Sequence, residues 1–239
     1  MRDPLPGGVG VSRLCVYDTV TPDGLPGGSP HVHLCCTEAY VVIRGSGAVQ
    51  TLSGRGFAEY ELTAGTVLWF TPGTVHRLIN NGDLEIVVVM SNSGLPEAGD
   101  AVLTFPIHVL QDPDAYKAAA ALPNGGAPGT DLTTAYRRRD LAVEGFGVLR
   151  AAVERDGPRA MAEFHATATA LKRPLLDHWR TRWEDGAFRA AQTTGVHLDA
   201  LARGDATHLA TARVHALPEP TEQGLLGMCG LLNTYLPTP

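Results

Sequence analysis

The 239-residue sequence is short of several things, and each shortage closes off a class of function. Lysine is almost missing: Lys117 and Lys172 are the only two, and every other fixed cation is arginine. Formal net charge is −6. A protein that grips nucleic acid normally shows a basic face, so the acidic balance argues against a nucleic-acid partner. The one basic cluster, Arg137-Arg138-Arg139, falls inside a helical pattern and reads as a solvated helix face. No apolar run approaches the ~20 residues that span a bilayer. The opening stretch, "MRDPLPGGVGVSRLCVYDTV", has an early arginine but no unbroken apolar segment. It does not follow the pattern of a secretory signal, and the expectation is a cytoplasmic protein with no membrane partner. The four cysteines, Cys15, Cys35, Cys36 and Cys229, include no CxxC pair. A chain of this length needs no disulfide staples, so free thiols are expected. There is no internal repeat and no serine-nucleophile motif. The glycine-rich "GSGAVQTLSGRG" lies between strand-like runs with no helix after it, so it is not a phosphate loop.

What is present divides into two halves. Hydrophobic residues make up 44% of the chain and charged residues 18%, enough for a substantial core. Residues 1–110 are rich in Val, Gly and Thr. Strand-like runs recur there: "RLCVYDTV", "EAYVVIRGSGAVQTL", "FAEYELTAG", "TVLWFT", "HRLIN" and "LEIVVVMSN". Turn signals punctuate them at 44–47, 53–56, 71–73 and 80–83. Many short strands at close spacing predict a β-sandwich or barrel.

From about Asp112 the period becomes helical. Leu132, Tyr136, Val143, Phe146, Leu149 and Val153 fall on one stripe, and Met161, Phe164, Ala168 and Leu171 continue it. Pro174 breaks or restarts the helix, and Leu175, Trp179 and Trp183 line a further face. "GVHLDALARGD" predicts one more helix, ending at Gly204. Residues 111–239 are therefore expected to be a helical region packed on the β domain. For its last ~25 residues a return to the sheet and a surface wrap are both open.

The chemistry gathers in "HVHLCCTEAY", residues 31–40. In a strand, residues i and i+2 share a face, so His31 and His33 project together. Glu38 opens the next strand. A strand, the "TPG" turn and another strand bring His76 back to the same wall. Three neutral nitrogens and one carboxylate suit a borderline divalent metal. In an octahedral metal they leave two positions open. Cys35 is the ambiguous neighbour: a continuing strand would aim it inward, whereas a turn at 34–37 would leave Cys35 and Cys36 beside the site. The turn is the preferred reading. Tyr40 and Val42 share parity with Glu38 and are expected to face inward, with Tyr40 as the candidate to touch substrate or to act in catalysis. Of Trp69 and Phe70, one faces inward. Arg77 points away from His76, and the six remaining histidines read as structural or surface residues.

These residues resemble the two motifs of the cupin superfamily. The first reads His31-x-His33, four residues, Glu38, six residues, Gly45; the second reads Gly65, five residues, Thr71-Pro72-Gly73, two residues, His76, three residues, Asn80. Thr71 stands where the family usually has proline, and the leading glycine is displaced among Gly24, Gly27 and Gly28. Neither departure touches a ligand position. The resemblance covers roughly residues 10–95. It implies a mainly β fold, a double-stranded β-helix or jelly-roll barrel with a C-terminal α-helical region, and a divalent metal held by His31, His33, Glu38 and His76. Iron is the first choice of metal, with Mn, Ni, Zn, Co or Cu as alternatives. It implies a metal-dependent enzyme on a small organic molecule, with oxygenase (a dioxygenase) the leading reaction. Isomerase, epimerase, cyclase and lyase activities, and a non-catalytic binding cupin, stay open because fold does not fix function. Homodimerisation is an expectation of the resemblance alone.

Overall fold

The computed structural model describes residues 5–235; the outermost residues of both expected regions, 1–4 and 236–239, lie outside it. Nine strands form one antiparallel sheet: β1 (Gly10–Val16), β2 (His31–His33), β3 (Glu38–Ser53), β4 (Gly56–Thr63), β5 (Val67–Phe70), β6 (Val75–Met90), β7 (Ala101–Leu103), β8 (Glu222–Leu226) and β9 (Gly230–Thr234). Two of these, β3 and β6, are sixteen residues long, and they decide the shape. The first half of β3 pairs with β5 and with the second half of β6, which continues to β1, β9 and β8. The second half of β3 pairs with β4 and with the first half of β6, next to β2 and β7. One bent pair of long strands thus serves two facing layers.

The bend lies where the sequence shows turn residues. The β3–β6 register shifts between Val42 and Gly47. Gly45 has φ +76°, and a Cβ there would sit 2.2 Å from the Asp83 carbonyl oxygen. A Cβ on Gly47 would sit 2.1 Å from the Ile79 carbonyl oxygen. Only glycine lets the two backbones approach this closely. Asn80 shapes the other side: its Oδ1 accepts from the Gly82 and Leu84 amides, and its Nδ2 donates to the Val16 carbonyl. The segments 44–47 and 80–83, expected as chain reversals, are therefore kinks inside continuous strands. "HRLIN" and "LEIVVVMSN" form one strand, not two. Bulges of this kind bend a strand and increase its twist without ending it.

Strand alternation separates two cores. Tyr40, Val42, Val49, Leu62, Phe70, Leu78, Ile86 and Val88 fill the space between the layers. Val32, Leu52 and Val75 point the other way, into a second core shared with helices α1 (Ile107–Leu110), α2 (Pro113–Ala120), α3 (Leu132–Asp156) and α4 (Pro158–Lys172). Phe146, Val153, Met161, Phe164 and Ala168 bury there as the helical stripe predicts. α3 lies close: a Cβ on Gly145 would meet the Thr104 carbonyl oxygen at 1.9 Å. The Thr104 hydroxyl donates to the Ala142 carbonyl.

The arginine cluster departs from expectation. Arg138 and Arg139 are buried, not a solvated face. Arg139 donates to the carbonyls of Thr19, Val20 and Gly27, fastening α3 to the loop after β1. Position on the helix explains the difference: both arginines share the buried face with Ala135, Ala142 and Val143. Further on, α5 (Leu176–Trp183) buries Trp179 against the first core. α6 (Arg189–Ala202) buries no residue, and Val196, Leu198 and Leu201 face solvent. The C-terminal segment returns to the sheet through β8 and β9. No helix among the described residues is long and apolar enough to cross a membrane.

Candidate metal centre

His31, His33 and His76 come from one layer and Glu38 from the other. His31 lies directly opposite His76 in the β2–β6 pairing. Glu38 begins β3, where it is paired with Phe70 on one side and Met90 on the other. All four residues are buried, and one ligand atom from each lies within 4.8 Å of the other three. Donors at 2.0–2.2 Å from a shared ion sit at most about 4.4 Å apart, so the group closes on an ion with shifts of a few tenths of an ångström.

The chemistry of the donors also fits. Each histidine has its Nδ1 committed elsewhere: His31 to the Ser29 carbonyl at 2.9 Å, His33 to Asp100 Oδ2 at 3.0 Å, His76 to the Thr74 carbonyl at 3.1 Å. Those acceptors call for a proton on Nδ1, which leaves the lone pair on Nε2. Glu38 Oε2 and His76 Nε2 approach to 2.9 Å, yet neither has a hydrogen-bond partner. Two buried acceptors facing one another at that distance, both unsatisfied, are a place for a cation.

Electrostatics agree. Burial opposes the Glu38 charge, but His76 and His33 overcome it and hold the carboxyl well below its ordinary range. Burial, with His76 and His33 beside it, pushes His31 far down, so it is neutral. Burial also opposes charge on His33, but Asp100 and Glu38 outweigh it and raise it to about 9. His33 Nε2 faces Glu38 Oε2 at 3.4 Å, and a bound cation would displace any proton between them.

Sequence reasoning missed Asp100. It is fully buried and accepts from the amides of Leu34, Cys35 and Cys36 as well as from the His33 ring. One carboxylate thus shapes the turn after β2 and orients a ligand imidazole. It lies 67 positions from His33, so no local pattern announces it. Phe70 is the inward member of its pair, stacked on the His76 ring with centroids 4.6 Å apart, while Trp69 is exposed.

Cys35 is exposed and Cys36 packs in the core, and neither joins the ligand group. The thiol beside the site is Cys229, whose Sγ lies 3.9 Å from His31 Nδ1, behind the ring. Burial, with Glu38 adding to it, raises that thiol to about 12, so it stays protonated. Arg77 points away from the centre and pairs with Asp23 and Thr21. His165 plays a structural part, its Nε2 2.8 Å from the Gly73 carbonyl ahead of His76.

His31, His33 and Glu38 open on a cavity of about 500 Å³. Tyr40, Arg138, Leu225, Met228 and Cys229 line it too. Tyr40 faces inward, as its parity predicts, and its buried hydroxyl has no hydrogen-bond partner. Burial and then the Glu38 charge push that hydroxyl well above its usual pKa, so it keeps its proton. A second groove of similar volume, along Tyr60, Val67, Trp69 and Thr71, contains none of the four ligand residues.

Comparison with known proteins bears on the barrel. No curated protein matches the chain significantly. Among solved structures, the TDP-fucose-3,4-ketoisomerase WlaRA from Campylobacter jejuni is 15% identical, covers 33% of this chain and 58% of its own, and superposes with a TM-score of 0.29. A predicted oxalate decarboxylase from Thermotoga maritima is 20% identical over 34% of this chain and 64% of its own, with a TM-score of 0.28. An oxalate oxidase is 25% identical over 35% of this chain and 40% of its own, with a TM-score of 0.28. The match thus spans less than two thirds of each of those chains. The family described as the cupin domain matches residues 18–91, a segment that includes all four ligand residues and both motifs. Over residues 18–91, then, the chain is similar to the cupin domain family.

Proposed function

We propose that the protein is a metal-dependent enzyme acting on a small organic molecule, with His31, His33, Glu38 and His76 as the ligands. One observation carries this reading: three of the four candidate ligands, His31, His33 and Glu38, line a cavity of about 500 Å³, with His76 directly behind them. Structural metal sites are closed, whereas catalytic ones keep positions open. The cavity is lined mostly by apolar side chains, among them Leu14, Val88, Met90 and Leu232, which suits an organic molecule. A bound divalent metal would supply Lewis acidity or, as iron, one-electron chemistry.

Oxygenase is the leading reaction type, because four protein ligands leave room for two more on an octahedral ion. Behind the candidate ligands, Phe70 stacks on the His76 ring and Asp100 holds His33, which keeps the donors in place for any metal chemistry. A second reading, isomerase or lyase, is favoured by Tyr40. Its protonated hydroxyl lies in the wall beside Glu38 without a partner, where it can hold a proton for a substrate oxygen.

The test begins with elemental analysis of untagged protein and of His31→Ala and His76→Ala. About one metal ion per chain, lost in both variants, is the expected result; metal-free wild type overturns the reading. Oxygen consumption with candidate substrates then decides the reaction type. Turnover that continues without oxygen and stops in Tyr40→Phe favours the second reading.

A further inference from the structure

We propose that Arg138 is the oxyanion-binding residue of the cavity, so that the substrate carries a carboxylate or phosphate group. This rests on the metal-enzyme reading above and adds the substrate class to it.

Arg138 is 8% exposed, yet no carboxylate among the described residues pairs with it. Its hydrogen bonds go to two carbonyls: Nη2 to Gly227 at 2.7 Å and, weakly, Nη1 to Ala120 at 3.4 Å. Its Nε–H is buried with no acceptor at all. A guanidinium has five N–H donors and is always charged, so most of its donors and all of its charge are unanswered. Burying an unpaired charge is costly. The two other buried arginines are settled differently. Arg77 shares the unpartnered Nε–H, but its charge is answered by an ion pair with Asp23. Arg139 uses its donors on three backbone carbonyls, the Thr19 hydroxyl and Asp140.

Arg138 also lines the same cavity as His31, His33, Glu38 and Tyr40. Cys229, whose Sγ lies 3.9 Å from His31 Nδ1, lines that cavity as well. The remaining acids on the cavity wall, Glu97 and Glu222, are exposed at its rim and do not neutralise Arg138. A molecule with one oxyanion seated on Arg138 would point its other end at the metal ligands and Tyr40. A planar guanidinium whose donors are only partly spent on the Gly227 and Ala120 carbonyls offers the kind of donor that a carboxylate or phosphate accepts.

The experiment is calorimetric titration of the purified protein with benzoate, benzamide and inorganic phosphate. Benzoate and benzamide have nearly the same shape and differ in charge. Wild type is expected to bind benzoate or phosphate and to bind benzamide at least tenfold more weakly. Arg138→Gln is expected to lose at least tenfold in anion affinity, and Arg138→Lys to lose less. Preference for benzoate assigns a carboxylate, preference for phosphate a phosphate, and both support the proposal. If Arg138→Gln fails to fold by circular dichroism, the benzoate–benzamide comparison is made in His76→Ala, which lacks the metal but keeps Arg138. Anion binding that persists there supports Arg138. Anion binding that is lost in His76→Ala but unchanged in Arg138→Gln places the anion on the metal and overturns the proposal while leaving the metal reading intact. Equal affinity for benzoate and benzamide, or no anion binding, overturns it as well. Absence of metal in wild type, with anion binding still dependent on Arg138, sinks only the metal reading.

Discussion

The barrel half presents its functional side chains from strands paired on both sides, whereas the helical half reaches the same cavity through one face of α3 and the β8–β9 hairpin. His31 and His76 are register partners, and Glu38 is bracketed by Phe70 and Met90. Their positions are set by the strand ladder. Arg138 is held by two carbonyl contacts on a helix face, and Leu225, Met228 and Cys229 by a short hairpin with a register irregularity between Glu222 and Leu225, whose tip is hydrogen-bonded to Tyr17 and Ser29. The difference separates roles. The rigid wall suits a reaction centre, whose geometry tolerates little error. The second wall, built from a helix and a hairpin outside residues 18–91, can differ between chains without disturbing the candidate ligands.

That contrast can be broken experimentally. The largest effect is expected from His76→Ala: elemental analysis should find no stoichiometric metal, because the variant removes a donor and leaves Glu38 Oε2 unanswered. Metal retained at one per chain would show that the rigid wall is not the ligand set. Next comes Asp100→Asn, which keeps the shape but removes the charge that orients His33. Metal affinity, measured by competition with a chelator, should fall about 10–100-fold. An unchanged affinity would reduce Asp100 to a turn-shaping residue. Gly145→Ala addresses the junction of the two halves, since its Cβ would enter the space of the Thr104 carbonyl. Denaturant unfolding should show a loss of about 1–3 kcal/mol, with metal content preserved in the folded fraction. The smallest effect is expected at Cys35→Ser: the thiol is exposed and outside the ligand group. Stability should move by no more than about 0.5 kcal/mol, and loss of metal there would return Cys35 to the site.

Legibility differed along the chain for physical reasons. His31, His33, Glu38 and His76 were readable because a strand puts i and i+2 on one face and because their spacing follows two motifs. Tyr40 followed from parity with Glu38. The kinks at 44–47 and 80–83 were misread as reversals, since glycine and asparagine serve a bulge and a turn equally well and the local sequence does not say which. Arg138 and Arg139 were misread because charge composition reports cost, not location; the carbonyls that receive them come from Ala120, Gly227 and the loop after β1. Asp100 carried no signal at all.

Period and spacing, which are local quantities, determined the strand-rich first half, the helical stripe of the second, the inward parity of the ligand residues and their donor chemistry. Tertiary structure alone decided which partners close the site. It bent β3 and β6 so that Glu38 and His76, at opposite ends of one strand pair, meet at 2.9 Å. It brought Asp100 behind His33, Cys229 behind His31 and Arg138 into the cavity wall. Each of those contacts joins segments far apart in the chain. Its energy depends on burial and on which unsatisfied group lies opposite, and neither exists until the two layers and α3 have packed together.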